Sequence, residues 1–201
     1  MYSGNKKGLR LSFNAPVTLT FVALCVVVRL AGVLTKSRSD YLVFSVGGSS
    51  FLEPLTYVRL FTHVLGHADW NHLLNNMMYI LLLGPMIEEK YGARNTVLVI
   101  LATAVVTGLI HMLVSPRTLL LGASGVVFAF ILISSITVRE NRTIPVTFIL
   151  VAVIYLGQQL YQGFFVNDDV SQITHIAGGA VGSVLGFLLS RTSDKQKDRS
   201  W

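Results

Sequence analysis

The chain has 201 residues, of which 52% are hydrophobic and only 13% charged, against roughly 25% charged in an average soluble domain. That deficit excludes an ordinary soluble domain, and the length allows one domain or at most two. The net charge of +6 does not point to nucleic acid, because the basic residues sit at the two ends and in short loops between apolar runs, where the positive-inside rule puts them.

A spanning helix needs about 20 mostly apolar residues, and six such stretches follow one another. Residues 1–15 form a tail with Lys6, Lys7 and Arg10. The first span covers 16–34, with Pro16 in its first turn, where a missing N–H costs little. It is longer than a leader's apolar core of about 7–15 residues and lacks a small-residue cleavage pattern, so it is read as a retained helix. The single cysteine, Cys25, lies in this span. It has no intrachain partner and reads as a small lipid- or core-facing side chain. Arg29, near the far end, is placed to snorkel to the interface. A long loop, 35–70, carries Phe51, Tyr57, Phe61 and Trp70, aromatic residues suited to the interfacial zone.

The second span, 71–91, ends at Glu88, Glu89 and Lys90, with Gly92 as a stop signal. The third covers 94–114 and is closed by Pro116. The fourth starts near Gly122 or Ala123 and reaches about Val138. It is short for a full span, so it is expected to start inside the membrane, after a re-entrant loop at 115–122 whose backbone must be satisfied by protein or water. The fifth covers 144–161, with Pro145 in its first turn. A loop at 162–170 holds Phe164, Phe165, Asp168 and Asp169, and the sixth span covers 171–190. The charged segment 191–201 is expected to be disordered. Basic residues in the N-terminal tail, the 2–3 turn (Lys90, Arg94), the 4–5 turn (Arg139, Arg142) and the C-terminal tail fall on one side. Both termini are therefore expected in the cytoplasm. The resulting division is a cytoplasmic tail at 1–15, a membrane domain at 16–190 and a cytoplasmic charged tail at 191–201.

Polar groups at membrane depth usually mark function. They are His72, Asn75 and Asn76 in the second span with His67 just before it, His111 in the third, Ser124 in the fourth and His175 in the sixth. No lysine lies between Lys90 and Lys195, which excludes a serine–lysine pair. No HExxH motif or intramembrane carboxylate is present, so neither a metal site nor an aspartyl protease is indicated, and no cofactor is expected. Serine activated by histidine remains. Gly122-Ala123-Ser124-Gly125 opens the fourth span, leaving room for a carbonyl at the hydroxyl and a helix N-terminus to favour an oxyanion. Read alone, the tetrapeptide suits a packing site equally well. His175 is followed by Gly178, Gly182 and Gly186, at offsets of 3, 7 and 11, a stripe on one helix face that permits close approach of a partner helix. The fourth span offers Ser124, Gly125 and Ala129 as that partner. His72 and Asn76, at i and i+4, share a face and suit either oxyanion donation or interhelical bonding. His111 reads as structural, and His63 carries no assigned role.

These motifs, in this order, resemble those of the rhomboid family over about residues 54–190. The family's HxxxxHxxxN element appears at His67–Asn76, its GxSG element at Gly122–Gly125 and its HxxGxxxG element at His175–Gly182. The resemblance implies an all-α, six-transmembrane-helix bundle with a long interfacial first loop and a short fourth helix. It implies an intramembrane serine endopeptidase with Ser124 as nucleophile and His175 as base. The oxyanion donors would be the Ser124 amide, His72 and Asn76, and His67, Phe128, Gly122, Gly125, Gly178 and Gly182 would support them. Substrates would be membrane-spanning helices cut near the outer face. Arg59 is similar to the arginine of a first-loop Trp-Arg pair, and Glu88 and Gly92 resemble positions closing the second helix. Two positions depart: Val58 replaces the tryptophan, and Phe128 stands where tyrosine is frequent, keeping the ring but not the hydroxyl. The compact form resembles bacterial members, so a bacterial plasma membrane is the expected location, with lipid and transmembrane substrates as partners and no nucleic acid. A catalytically silent relative that binds membrane helices is the alternative; such relatives typically lack the serine or the histidine.

Overall fold

A computed structural model describes residues 13–48, 50–137 and 169–197, together with scattered positions between 146 and 157. The described residues are mostly helical: α1 (Pro16–Leu34), α2 (Arg38–Leu42), α3 (Pro54–Thr62), α4 (Trp70–Tyr91), α5 (Ala93–Val114), α6 (Ser124–Thr137) and α7 (Asp169–Lys197), with a 3-10 turn at His63–Leu65. Among them the only β pairing is an isolated antiparallel bridge between Val46 and Leu120.

By length and composition, α1 and α5 are each able to cross a bilayer. The 22-residue α4 interrupts its apolar face with His72, Asn75, Asn76 and Glu88. The described part of α6 covers 14 residues, about 21 Å of helix. The fifth expected helix lies mostly outside the described residues, although Val146, Ile149–Val151, Val153, Ile154 and Gly157 are helical. The loop expected at 162–170 lies outside them too, apart from Asp169 and Val170, which open α7. Residues 191–197 continue α7 rather than forming the expected disordered tail. Nothing in Arg191–Lys197 breaks a helix, and charge alone does not.

The helix ends explain how the elements lock together. Pro16 opens α1, and Ala15 offers no side-chain cap. The cap comes from α4 instead: Val17 N–H and Thr18 N–H donate to the two Glu88 carboxylate oxygens at 2.9 Å each, and the Thr18 hydroxyl donates to the second as well. A carboxylate at a helix N-terminus satisfies orphan donors and opposes the dipole, so the buried Glu88 fastens α1 to the end of α4. The apolar face of α1, including Phe21 and Cys25, joins a core with Leu73, Ile80 and Ile87 of α4, Val99 of α5 and Phe130 of α6. Cys25 is wholly buried and faces this core. Arg29 does not snorkel; its side chain is only 11% exposed and turns inward toward Asp40. In the first loop, Phe51, Tyr57, Phe61 and Trp70 remain exposed.

Residues 115–123 run from α5 to α6 without helical bonds of their own. Their backbone is satisfied by the first loop. Val46 and Leu120 exchange N–H···O bonds of 2.9 and 2.8 Å, Gly48 N–H donates to the Pro116 carbonyl at 2.9 Å, and Gly122 N–H donates to the His63 carbonyl at 2.9 Å. Buried backbone groups outside a helix need such partners, and the first loop supplies them.

Candidate active site

Ser124 is the first residue of α6, so its amide is among those with no intrahelical acceptor. The preceding residues set its direction. Gly122 has φ +132°, a region L side chains rarely adopt. A Cβ there would lie 2.7 Å from Cε1 and 2.8 Å from Nε2 of His72. Gly122 thus allows both the backbone turn into α6 and the approach of the His72 ring.

α7 delivers His175. Its Nε2 lies 2.9 Å from Ser124 Oγ, close enough for the hydroxyl to donate when the ring proton is on Nδ1. The close approach follows from absent side chains. A Cβ on Gly178 would collide with the Gly125 carbonyl oxygen and sit 2.9 Å from its Cα, and one on Gly182 would sit 2.5 Å from Ala129 Cα. The glycine stripe therefore faces α6 backbone to backbone. The Phe128 ring, one turn after Ser124, packs on the His175 imidazole with centroids 4.5 Å apart and planes inclined by 50°.

α4 brings the remaining groups. Asp69 caps it, accepting the His72 N–H at 2.8 Å. Asn76 is buried, and its Nδ2 lies 3.1 Å from His67 Nε2. His67 is wholly buried. Its Nδ1 lies 3.1 Å from the Leu65 carbonyl, which can only accept, so the ring proton is on Nδ1 and Nε2 is the acceptor. That nitrogen receives one Asn76 amide hydrogen and faces the Ala123 N–H at 3.4 Å. Burial, with smaller contributions from the neighbouring His72 and Arg29, pushes the His67 pKa down to about 4, which keeps the ring neutral and able to accept.

Ser124, His175, His72, Asn76 and Phe128 line one cavity of about 660 Å³. Leu120, Leu121, Val127, Ile131, Val151 and Ile154 supply its apolar wall, and Asn75 and Tyr79 extend its polar side along α4. Tyr79 was not singled out from sequence; its spacing of seven from His72, on the same helix face, is the signal that marks it. A separate groove of about 320 Å³ between α1 and α5, lined by residues such as Pro16, Phe21 and Leu101, lies away from these groups.

The other histidines brace the loop. His63 is buried; Nδ1 lies 3.1 Å from the Arg59 carbonyl and Nε2 3.4 Å from Thr107 Oγ1. Desolvation pushes its pKa down to about 4. His111 Nε2 lies 3.0 Å from the Thr118 carbonyl. Arg59 donates from Nε to the Leu42 carbonyl at 2.9 Å, joining α3 to the start of the loop. Val58 points outward, 47% exposed, so its difference from tryptophan falls on the loop's outer face. Among the described residues no group of three metal-ligating side chains occurs.

Fold and site together define a protein that is mostly helical over its described residues, with a serine–histidine contact at the N-terminus of α6 lining a cavity. The Rhomboid domain family model matches residues 54–192. Relatives include rhomboid-like protein 11, chloroplastic, of Arabidopsis thaliana, 30% identical over 71% of this chain and 56% of that protein. Rhomboid-related protein 2 of Mus musculus is 30% identical over 71% of this chain and 54% of its own length. Rhomboid protease GlpG of Haemophilus influenzae is 26% identical over 90% of this chain and 94% of that protein. The chain spans about half the length of the first two and nearly all of the third. It belongs to the rhomboid family, whose members are multi-pass membrane proteins.

Proposed function

We propose that the chain is an intramembrane serine endopeptidase that cuts transmembrane-helix substrates near the outer membrane face. The observation that carries this reading is the 2.9 Å contact between Ser124 Oγ and His175 Nε2 at the floor of a cavity with further polar groups on one wall. The similarity to a relative named a rhomboid protease supports it, and the presence of both Ser124 and His175 argues against a catalytically silent helix-binding protein.

The chemistry follows from the geometry. Ser124 Oγ attacks the scissile carbonyl while His175 Nε2 takes the hydroxyl proton. The Ser124 amide, His72 and the Asn76 hydrogen not engaged by His67 then face the new oxyanion. His175 returns the proton to the leaving amine, and the acyl-serine ester is hydrolysed by water deprotonated by the same histidine. Phe128 holds the ring in place through the cycle. In this reading residues 16–190 form six membrane helices with residues 1–15 and 191–201 in the cytoplasm, the first loop lies in the outer interface, and a bacterial plasma membrane is the setting.

The test is labelling with a fluorophosphonate in detergent, which reports an activated serine without a known substrate. Covalent modification at Ser124, lost in His175→Ala, is the expected result. A protein that binds a membrane helix but takes no label would favour the silent alternative.

A further inference from the structure

Arg29 lies near the end of α1, outside the residues that line the cavity. Its Nη1 donates to the His67 carbonyl at 3.1 Å and stands 3.7 Å from Asp40 Oδ2. Its guanidinium carbon is 5.8 Å from the Trp70 ring centroid. Asp40 is buried, and Gly32, one turn beyond Arg29 on α1, makes room for it: a Cβ there would collide with the carboxylate. Burial raises the Asp40 pKa, and Arg29 opposes that rise.

Such an arrangement is a poor source of stability. A buried ion pair is often no more stabilising than apolar residues of the same volume, and at 3.7 Å this pair is beyond hydrogen-bond reach. Arg29 makes one directional bond, and it goes to His67. The His67 ring then accepts from Asn76 Nδ2 and faces the amide of the residue before Ser124. A continuous path thus runs from α1 through the His67 backbone and ring to the Asn76 side chain and to the Ala123 amide next to Ser124. A fork-shaped cation suits the task, since one arm reaches the carbonyl while the planar group rests near an indole and a carboxylate.

We propose that Arg29, oriented by Asp40 and Trp70, is a positioning residue that holds His67, and through it Asn76, in register with Ser124. The inference rests on the oxyanion role proposed for Asn76. It explains why a helix that contributes no reacting group carries a buried charge.

The test measures kcat and KM for cleavage of a transmembrane test peptide in reconstituted vesicles. The variants are Arg29→Gln, Arg29→Lys and Asp40→Asn, each alone and combined with Asn76→Ala, with melting temperatures recorded alongside. Arg29→Gln is expected to lower kcat about tenfold with KM within twofold, because the donors it aligns act mainly in the transition state. Arg29→Lys, which keeps one donor and the charge, recovers part of the loss. In the Asn76→Ala background the effect of Arg29→Gln shrinks to below about threefold, the signature of two residues acting through one path. If Arg29→Gln does not fold, Asp40→Asn carries the same comparison with a smaller loss. An equal loss in both backgrounds, a loss confined to KM, or unchanged kcat in a folded variant overturns the proposal. Full activity of Asn76→Ala alone overturns the oxyanion reading instead, and takes this proposal down with it.

Discussion

The two flanks of the cavity are held by opposite means. On one flank α6 and α7 meet backbone to backbone, with Gly178 against Gly125 and Gly182 against Ala129. Contact there is made by removing side chains. On the other flank, α4 and loop 115–123 are held by directed hydrogen bonds to the first loop: Gly122 N–H donates to the His63 carbonyl, Asn76 Nδ2 to His67 Nε2, and Val46 and Leu120 exchange a pair. The packed flank carries the pair that would break bonds, and the bonded flank carries the groups that would hold a charge in place. Close packing in lipid needs only shape, whereas fixed dipoles must be paired wherever water is scarce. The two flanks should therefore fail in different ways.

The largest effect is expected at the reacting pair. Ser124→Ala and His175→Ala should each lower turnover by on the order of 10⁴-fold or more, and the double variant should lose nothing further, since members of such a unit act together. Losses that multiply would separate the two residues. On the bonded flank, Asn76→Ala should cost about 100- to 1,000-fold in kcat with little change in KM. A loss expressed only in KM would move Asn76 to substrate docking. On the packed flank, Gly182→Leu should cost roughly 100-fold by misplacing His175. It should also lower the melting temperature, because a Leu against Ala129 forces the helices apart. Wild-type turnover with unchanged melting would show that this face does not meet α6.

The mildest test is pH. His63 and His67 belong to the bonded flank, and burial holds both near a pKa of about 4, below the usual 6.5 or so. The unfolded chain takes up these protons first as pH falls through 6.5, so stability is full above that value and declines toward pH 4. Melting in detergent should fall over that interval, and His67→Gln should flatten the slope. An unchanged slope would mean that the ring is solvated rather than sealed behind Asn76.

The packed flank was the more legible in sequence, and the reason is physical. Glycines at offsets of 3, 7 and 11 from His175 announce a helix face through their period alone. The bonded flank leaves fainter marks. The partner of Gly122 N–H is the His63 carbonyl, and a backbone acceptor has no side-chain signature, so His63 carried no role in the sequence. Glu88 read as the end of one helix, but it caps another some 70 positions away, a contact no local pattern encodes. Arg29 looked like an interfacial charge because Asp40 lies in a loop whose path is set by tertiary contacts. Asp69 was recoverable: an Asp directly before a helix is an ordinary N-cap. The charge of residues 191–201 suggests a disordered tail, yet 191–197 are helical, because glycine and proline rather than charge end a helix.

The bridge between Val46 and Leu120 is two hydrogen bonds long, yet it ties the segment before α6 to a strand-like stretch contributed by another part of the chain. With both bonds made between the same two residues, the two amides are expected to open together. Amide exchange at Val46 and Leu120 should then report one free energy of opening, as a single local unit. Any motion that widens the cavity by lifting residues 115–123 must break their hydrogen bonds to the first loop.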